Sequence, residues 1–168
     1  MKLNLGCQED VRKGYINLDK WDYKGVNVVW DLEETPLPFE TSSFSEVVAS
    51  NILEHMDKLM PLMRELHRIT EPNGIIKITV PFYNSPYAVG SLDHKRFFEH
   101  NSYQNFTNKF YFNGDERYKF ELVRKSIKPT TIGKLIVSDW LLINLSYFIG
   151  NLINELYFEL RIIKKKGR

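Results

Sequence analysis

The stretch FSEVVASNILEHMDKLMPLMRELHRITEPNGIIKITVP, residues 44–81, decides the fold. Its start holds a short apolar strand, Glu46 to Ser50, and its end holds another, Ile75 to Val80. Between them Leu59, Leu62, Met63, Leu66 and Ile69 return at spacings of three and four, the period of an amphipathic helix. The reading predicts a helix from Asp57 to Glu71 with Asp57 as N-cap. Pro61 lies near the first turn, where its missing amide costs little, and Pro72, Asn73 and Gly74 stop the helix. Strand, helix and strand make one βαβ unit, which is parallel and right-handed.

Upstream, Lys2 to Leu5, Tyr15 to Asp19 and Val26 to Trp30 read as three more strands, with Gly14 and Gly25 before the second and third. Adjacent β-branched residues in several strands predict a sheet covered on both faces. The links Cys7 to Gly14 and Lys20 to Val26 are too short for full crossover helices. The fold class is therefore α/β: a compact, mainly parallel sheet with reduced helices after strands one and two.

Downstream of Val80 the pattern loosens. Residues 81–100 carry two prolines, Gly90 and the polar run Asp93, His94, Lys95, Arg96, and are expected to form a long active-site loop. Ser102 to Lys109 reads as a short helix capped by Ser102. Phe120 to Ile127 is a sixth strand, and Tyr157 to Ile163 is a last, antiparallel one. Between these strands, residues 131–155 form an apolar helical insertion, because Leu135 to Ile153 contains only Asp139 as a charge. A packed helix or helical pair is expected there. The alternatives are an exposed face for a second copy, a partner or a membrane surface. A full span needs about 20 apolar residues, and Asp139, Asn144 and Gly150 interrupt this one.

With 168 residues, 43% of them hydrophobic, the chain can bury the core of one domain, residues 1–168. One cysteine excludes a disulfide scaffold. The net charge is +2, and much of the excess is Lys164, Lys165, Lys166 and Arg168 at the end. That tail reads as a solvated terminus, so a nucleic-acid partner is not expected. Gly6 and Cys7 break the first apolar run before a secretory segment can form, which predicts a cytoplasmic protein.

Three strand ends carry the candidate chemistry. Gly6 follows strand one, where backbone can approach a ligand closely, Asp19 ends strand two, and Asp31 follows strand three. Together with LNLGC (Leu3–Cys7), GYINLD (Gly14–Asp19), VVWDL (Val28–Leu32), PLPF (Pro36–Phe39), FSEVVASNILEH (Phe44–His55), RELHRITEPNG (Arg64–Gly74) and IKITVP (Ile76–Pro81), this order resembles the class I S-adenosylmethionine-dependent methyltransferases, in particular the small type 11-like members. The likeness runs from about Lys2 to His100.

The resemblance implies a Rossmann-like sheet and S-adenosylmethionine as cofactor. It assigns the turn Leu5, Gly6, Cys7 and Gln8 to the methionine end of that cofactor and Asp19 to its ribose hydroxyls. Asp31 and Leu32 then lie beside the adenine, and Ser50, Asn51 and Ile52 line the cofactor from the end of strand four. Two positions depart from the family pattern: Gln8 stands where a second glycine is usual, and the acid of strand four is Glu46, with Ser45 before it.

Methyl transfer asks chiefly for close, in-line positioning, and a base is needed only where the acceptor must lose a proton. His94 and His55 are the first candidates for that role, followed by His100 and Asp93. Lys95 and Arg96 either meet an anionic acceptor or face solvent. No metal site is expected, since His94, His100, Asp93 and Glu99 match no metalloprotease spacing. A thiol nucleophile at Cys7 lacks a histidine fixed beside it, and a nicotinamide site would need a richer glycine loop and a full helix after it. The expected function is methyl transfer to an O, N or C nucleophile of a small-molecule acceptor. The alternative is a cofactor-binding or scaffolding protein without turnover, which docks through 135–153. The reduced N-terminal helices leave part of the sheet to be covered, either by that segment or by a second copy.

Overall fold

The computed structural model describes residues 1–107 and 118–164. Seven strands form one sheet: β1 (Lys2–Leu5), β2 (Ile16–Asp19), β3 (Val28–Val29), β4 (Phe44–Ser50), β5 (Thr70–Pro81), β6 (Lys119–Pro129) and β7 (Ile153–Ile163). Their order is β3-β2-β1-β4-β5-β7-β6. β3 through β5 run parallel, and β7 is antiparallel to both of its neighbours. The helices are α1 (Leu59–Ile69), α2 (Pro86–Gly90), α3 (Gln104–Thr107) and α4 (Asp139–Ser146). The expected α/β class, the antiparallel last strand and the reduced early connections are all present.

The two faces of the sheet differ chemically. Along one register row Leu3, Val47, Ile76 and Leu160 lie side by side, and along a second row Leu5, Ala49, Ile78 and Phe158 do. These residues are buried and share one apolar cluster with Leu62, Met63, Leu66 and Ile69 of α1. The alternate rows carry Lys2, Glu46 and Arg161, then Asn4, Lys77 and Glu159, on the opposite face. There Glu46 sits 2.7 Å from Lys77 and 3.7 Å from Lys2, and Arg161 sits 3.3 Å from Glu121. The sheet is thus not apolar on both sides, as the β-branched runs predicted. Each such pair stabilises little, but together they let the second face stay hydrated.

The central helix differs from expectation at both ends. Its N-cap position is Lys58, and Asp57 does not cap it. Glu33 supplies the cap from the chain after β3, its two carboxylate oxygens accepting from the amides of Asp57 at 2.6 Å and Lys58 at 3.0 Å. Asp57 pairs instead with Lys95. The helix stops at Ile69, before Glu71, and the expected stop signal Pro72-Asn73-Gly74 lies inside β5. There the pairing with β4 jumps from Phe44–Thr70 to Glu46–Ile75, so a bulge absorbs these residues. Lower on the helix, Arg68 donates to the carbonyls of Leu37 and Phe39, and Glu65 accepts from the Leu37 amide. These bonds hold the PLPF segment against the core.

Residues 81–100 are more ordered than a surface loop. Ser85 caps α2 by accepting from Ala88, and Phe82 bridges to Phe98, both rings buried. The predicted Ser102–Lys109 helix is seen as α3 over Gln104–Thr107, and Asn108 and Lys109 lie outside the described residues. Of the basic tail, Lys164 is tied down and partly buried: its ammonium donates to the Arg68 carbonyl and the Ser42 hydroxyl, both at 2.8 Å. Lys165, Lys166 and Arg168 lie outside the described residues.

The apolar insertion is helical only over Asp139–Ser146, with a single 3-10 turn at Gly133–Leu135, and residues 153–155 belong to β7. It is not a packed helical pair. Leu142 and Ser146 are buried, whereas Leu135, Val137, Trp140, Phe148 and Ile149 are exposed. Because it joins β6 to β7, it stands at the far end of the sheet from β1–β3 and does not cover them. Among the described residues no helix is long and apolar enough to cross a membrane.

Candidate cofactor and acceptor site

Strand order places the site. From β1 the chain proceeds to β2 and β3 on one side, whereas β4 and β5 lie on the other, so the direction of winding changes between β1 and β4. Ligands of open α/β sheets bind outside the carboxyl ends of the strands at such a crevice. Gly6 follows β1 there, and Asn51 follows β4.

The turn after β1 needs its unusual backbone. Gly6 has φ +57°, and a Cβ there would lie 2.6 Å from Ile52 Cδ1. Gln8, at the position where the family favours glycine, also has positive φ, +41°. Asp19 holds this turn: its buried carboxylate accepts from the Gln8 amide at 2.8 Å and the Trp21 amide at 3.0 Å. Cys7 is buried beside it, and burial together with the Asp19 charge pushes the thiol up, away from a nucleophilic thiolate. On the next strand end Asp31 accepts from the Glu33 amide at 2.9 Å and is exposed, while Leu32 is buried.

Two adjacent cavities collect these residues. One, of about 360 Å³, is lined by Leu5, Gly6, Cys7, Gln8, Ser50 and Asn51 among others. The second, of about 460 Å³, shares Gly6, Gln8 and Tyr23 with the first and continues past Asp19, Asp31, Leu32 and Ile52 to His55 and Asp93. Trp21, Tyr23, Trp30 and Lys95 also line it. Sequence reasoning did not name the three aromatics, because nothing in their spacing distinguishes a wall of a cavity from an ordinary packed ring.

The second cavity reaches His55, and against this ring packs His94, which does not itself line the cavity. His55, in the 3-10 turn Leu53–His55, lies with its ring centroid 4.7 Å from that of His94, the planes at 75°. His55 Nδ1 is 3.0 Å from an Asp93 carboxylate oxygen, and His94 Nδ1 is 2.9 Å from the Ala88 carbonyl. Glu54 sits beneath them, buried, and burial reinforced by Glu155 and Asp93 pushes its carboxyl up to about 7. His100 is outside this cluster, and burial pulls its imidazole down. Arg96 is directed away, donating to the carbonyls of Met56 and Asp57.

Residues 9–78 match the methyltransferase domain family of type 11. No curated protein matches the chain. A SAM-dependent methyltransferase from Archaeoglobus fulgidus superposes with a TM-score of 0.63 at 18% identity, over 95% of this chain and 85% of that one. A second, from Mesorhizobium loti, gives 0.58 at 15% identity, over 95% and 90%. The [4+2]-cyclase SpnF gives 0.60 at 13% identity, over 98% and 75%. Identities this low speak for the fold, and a cyclase among them shows that the fold alone does not name the reaction.

The fold is that of S-adenosylmethionine-dependent methyltransferases, and residues 9–78, fewer than half of the chain, match a methyltransferase domain. Together the domain match and the fold point to S-adenosylmethionine as the cofactor. The residues at the switch point fit that group: a glycine turn with positive φ where a Cβ would push on the Ile52 side chain, a buried carboxylate at the next strand end, and a cavity joining the two.

Proposed function

We propose that the chain transfers a methyl group to the oxygen or nitrogen of a small-molecule acceptor held where the second cavity reaches His55, beside His94. The observation that supports this is continuity: the cavity that passes Gly6, Asp19 and Asp31 also reaches His55 and Asp93. When bound, S-adenosylmethionine supplies an electrophilic methyl group on a sulfonium sulfur. The turn Leu5–Gly6–Cys7–Gln8 with Ser50, Asn51 and Ile52 holds its methionine end, Asp19 takes the ribose hydroxyls, and Asp31 with Leu32 flanks the adenine. His55, with His94 packed against it, holds the acceptor heteroatom. The acceptor's proton would pass to His55 Nε2, and the electron pair of the broken carbon–sulfur bond would stay with the cofactor's sulfur. Asp93 is a positioning residue, orienting His55 through Nδ1.

Calorimetry with S-adenosylmethionine and with S-adenosylhomocysteine is expected to show one site each. Absence of binding by either at about millimolar concentration defeats the reading, because cofactor levels needed for turnover lie at or below that range. With a panel of hydroxylated and amine acceptors, His55→Ala is expected to lower turnover by about 100-fold and leave cofactor affinity unchanged.

A second role has its own support. Val137, Trp140 and Phe148 stand exposed on the β6–β7 connection, at the sheet edge where β5 ends and β7 begins. We propose that this face docks a second copy of the chain. Sedimentation is expected to give a dimer that becomes a monomer in Trp140→Glu with Phe148→Glu, with cofactor affinity retained. A wild-type monomer across the concentration range excludes the dimer. Leu142 is not a suitable target, since it is buried in the core.

A further inference from the structure

Glu54 is 1% exposed, and among the described residues neither of its carboxylate oxygens has a hydrogen-bond partner. A buried carboxylate without a partner is costly, so its surroundings call for an explanation. One carboxylate oxygen of Glu54 and one ring nitrogen each of His55 and His94 lie within 4.8 Å of one another. Around a divalent ion held tetrahedrally at about 2.0–2.2 Å, ligand atoms lie roughly 3.3–3.6 Å apart, so small side-chain rotations close the set on an ion.

The outer contacts of the two imidazoles are those of metal ligands. A carbonyl oxygen can only accept, so His94 Nδ1 carries the hydrogen it directs at Ala88, and its Nε2 is left with a lone pair. His55 Nδ1 faces Asp93 in the same way, which leaves its Nε2 free as well. Ligating histidines almost always donate their second N–H to a carboxylate or a backbone carbonyl, and here one of each is in place. The backbone also ties the ligand segments together. The Glu54 carbonyl accepts from the amides of Lys95 and Arg96, at 2.8 and 3.0 Å, and so joins the turn carrying Glu54 and His55 to the loop carrying His94. Local charge favours a cation: Asp93 and Glu155 act on Glu54, while the nearest lysine on this loop, Lys95, is directed to Asp57.

We propose that Glu54, His55 and His94 form a binding site for one divalent transition-metal ion of the zinc, cobalt or iron(II) type. Two imidazoles and one carboxylate select these ions over magnesium and calcium, which prefer all-oxygen shells. Three protein ligands leave a coordination position open. That the open position faces the acceptor rests on the methyl-transfer reading above; the metal site itself does not. An acceptor oxygen bound to such an ion loses its proton more readily, so the ion does for the acceptor what an imidazole base would do.

The experiment uses the full chain after chelator treatment, with Co²⁺ as a spectroscopic probe and Zn²⁺ as competitor. One Co²⁺ per chain is expected, with visible bands that Zn²⁺ abolishes. His55→Ala and His94→Ala should each weaken binding by at least about tenfold, Asp93→Asn by about tenfold, and His100→Ala not at all. Glu54→Gln tests the buried ligand, and circular dichroism shows whether that variant folds; His94→Ala, on the loop, decides the matter if it does not. Absence of Co²⁺ and Zn²⁺ binding at about 0.1 mM overturns the proposal, since resident ions bind far more tightly. So does binding that both histidine variants leave unchanged. Calorimetry with S-adenosylmethionine on the same preparation separates the two readings. Cofactor binding without metal binding removes only the metal site, and metal binding without cofactor binding removes only the methyl-transfer reading.

Discussion

Asp19→Ala is expected to weaken S-adenosylmethionine binding by about 100-fold. The carboxylate is buried at the end of β2 and accepts from two backbone amides, Gln8 at 2.8 Å and Trp21 at 3.0 Å. Gln8 is in the left-handed region, so the turn around the proposed methionine subsite is held by this acceptor against its own backbone preference. Alanine leaves both amides unpaired and removes the acceptor proposed for the ribose hydroxyls. Each lost hydrogen bond to a charged group is worth about 1.5–3 kcal/mol, and a loss near 3 kcal/mol corresponds to about two powers of ten in affinity. Asp19→Asn keeps one acceptor oxygen and should fall between. Titration calorimetry reads the effect, and an affinity within about twofold of wild type would show that the cofactor does not use this strand end.

Phe158→Ala and Arg161→Ala, three residues apart on β7, should differ by several kcal/mol in stability. Phe158 is buried in register with Ile78 and lies 5.7 Å, centroid to centroid, from Tyr103. Its truncation opens a cavity among side chains that cannot all collapse into it, and such changes cost about 3–5 kcal/mol. Arg161 projects from the opposite face toward Glu121, a partly exposed pair whose loss costs at most about 1 kcal/mol. Urea denaturation of both variants measures the difference. Equal losses would mean that the second face is covered as tightly as the first.

The same contrast separates what was legible in the chain from what was not. The strands were readable because β-branched runs bounded by glycine and proline are local signals, and α1 because its apolar spacing is local too. Which face of each strand is buried depends on register, and register depends on neighbours distant in sequence: Val47 meets Leu3 on one side and Ile76 on the other. The helix cap failed for a similar reason. Asp57 has the right chemistry for an N-cap, but Glu33 reaches the free amides from the chain after β3 and Lys95 takes Asp57. A local preference worth about 1 kcal/mol yields readily to such a tertiary arrangement.

By itself, the sequence determined the class of sheet, the βαβ unit at its centre and the strand ends at which the cofactor is proposed to be held, since each is written in contiguous residues. His55 and His94 could be named as candidates from their chemistry, but not as neighbours. Only the tertiary structure decided that the loop after β5 returns to the end of β4, that Glu54 is buried beside the two rings with no hydrogen-bond partner among the described residues, and that much of the apolar insertion is exposed. These are contacts between segments far apart in the chain, and their geometry is set by how the strands pair and how the connections fold back over the sheet edge.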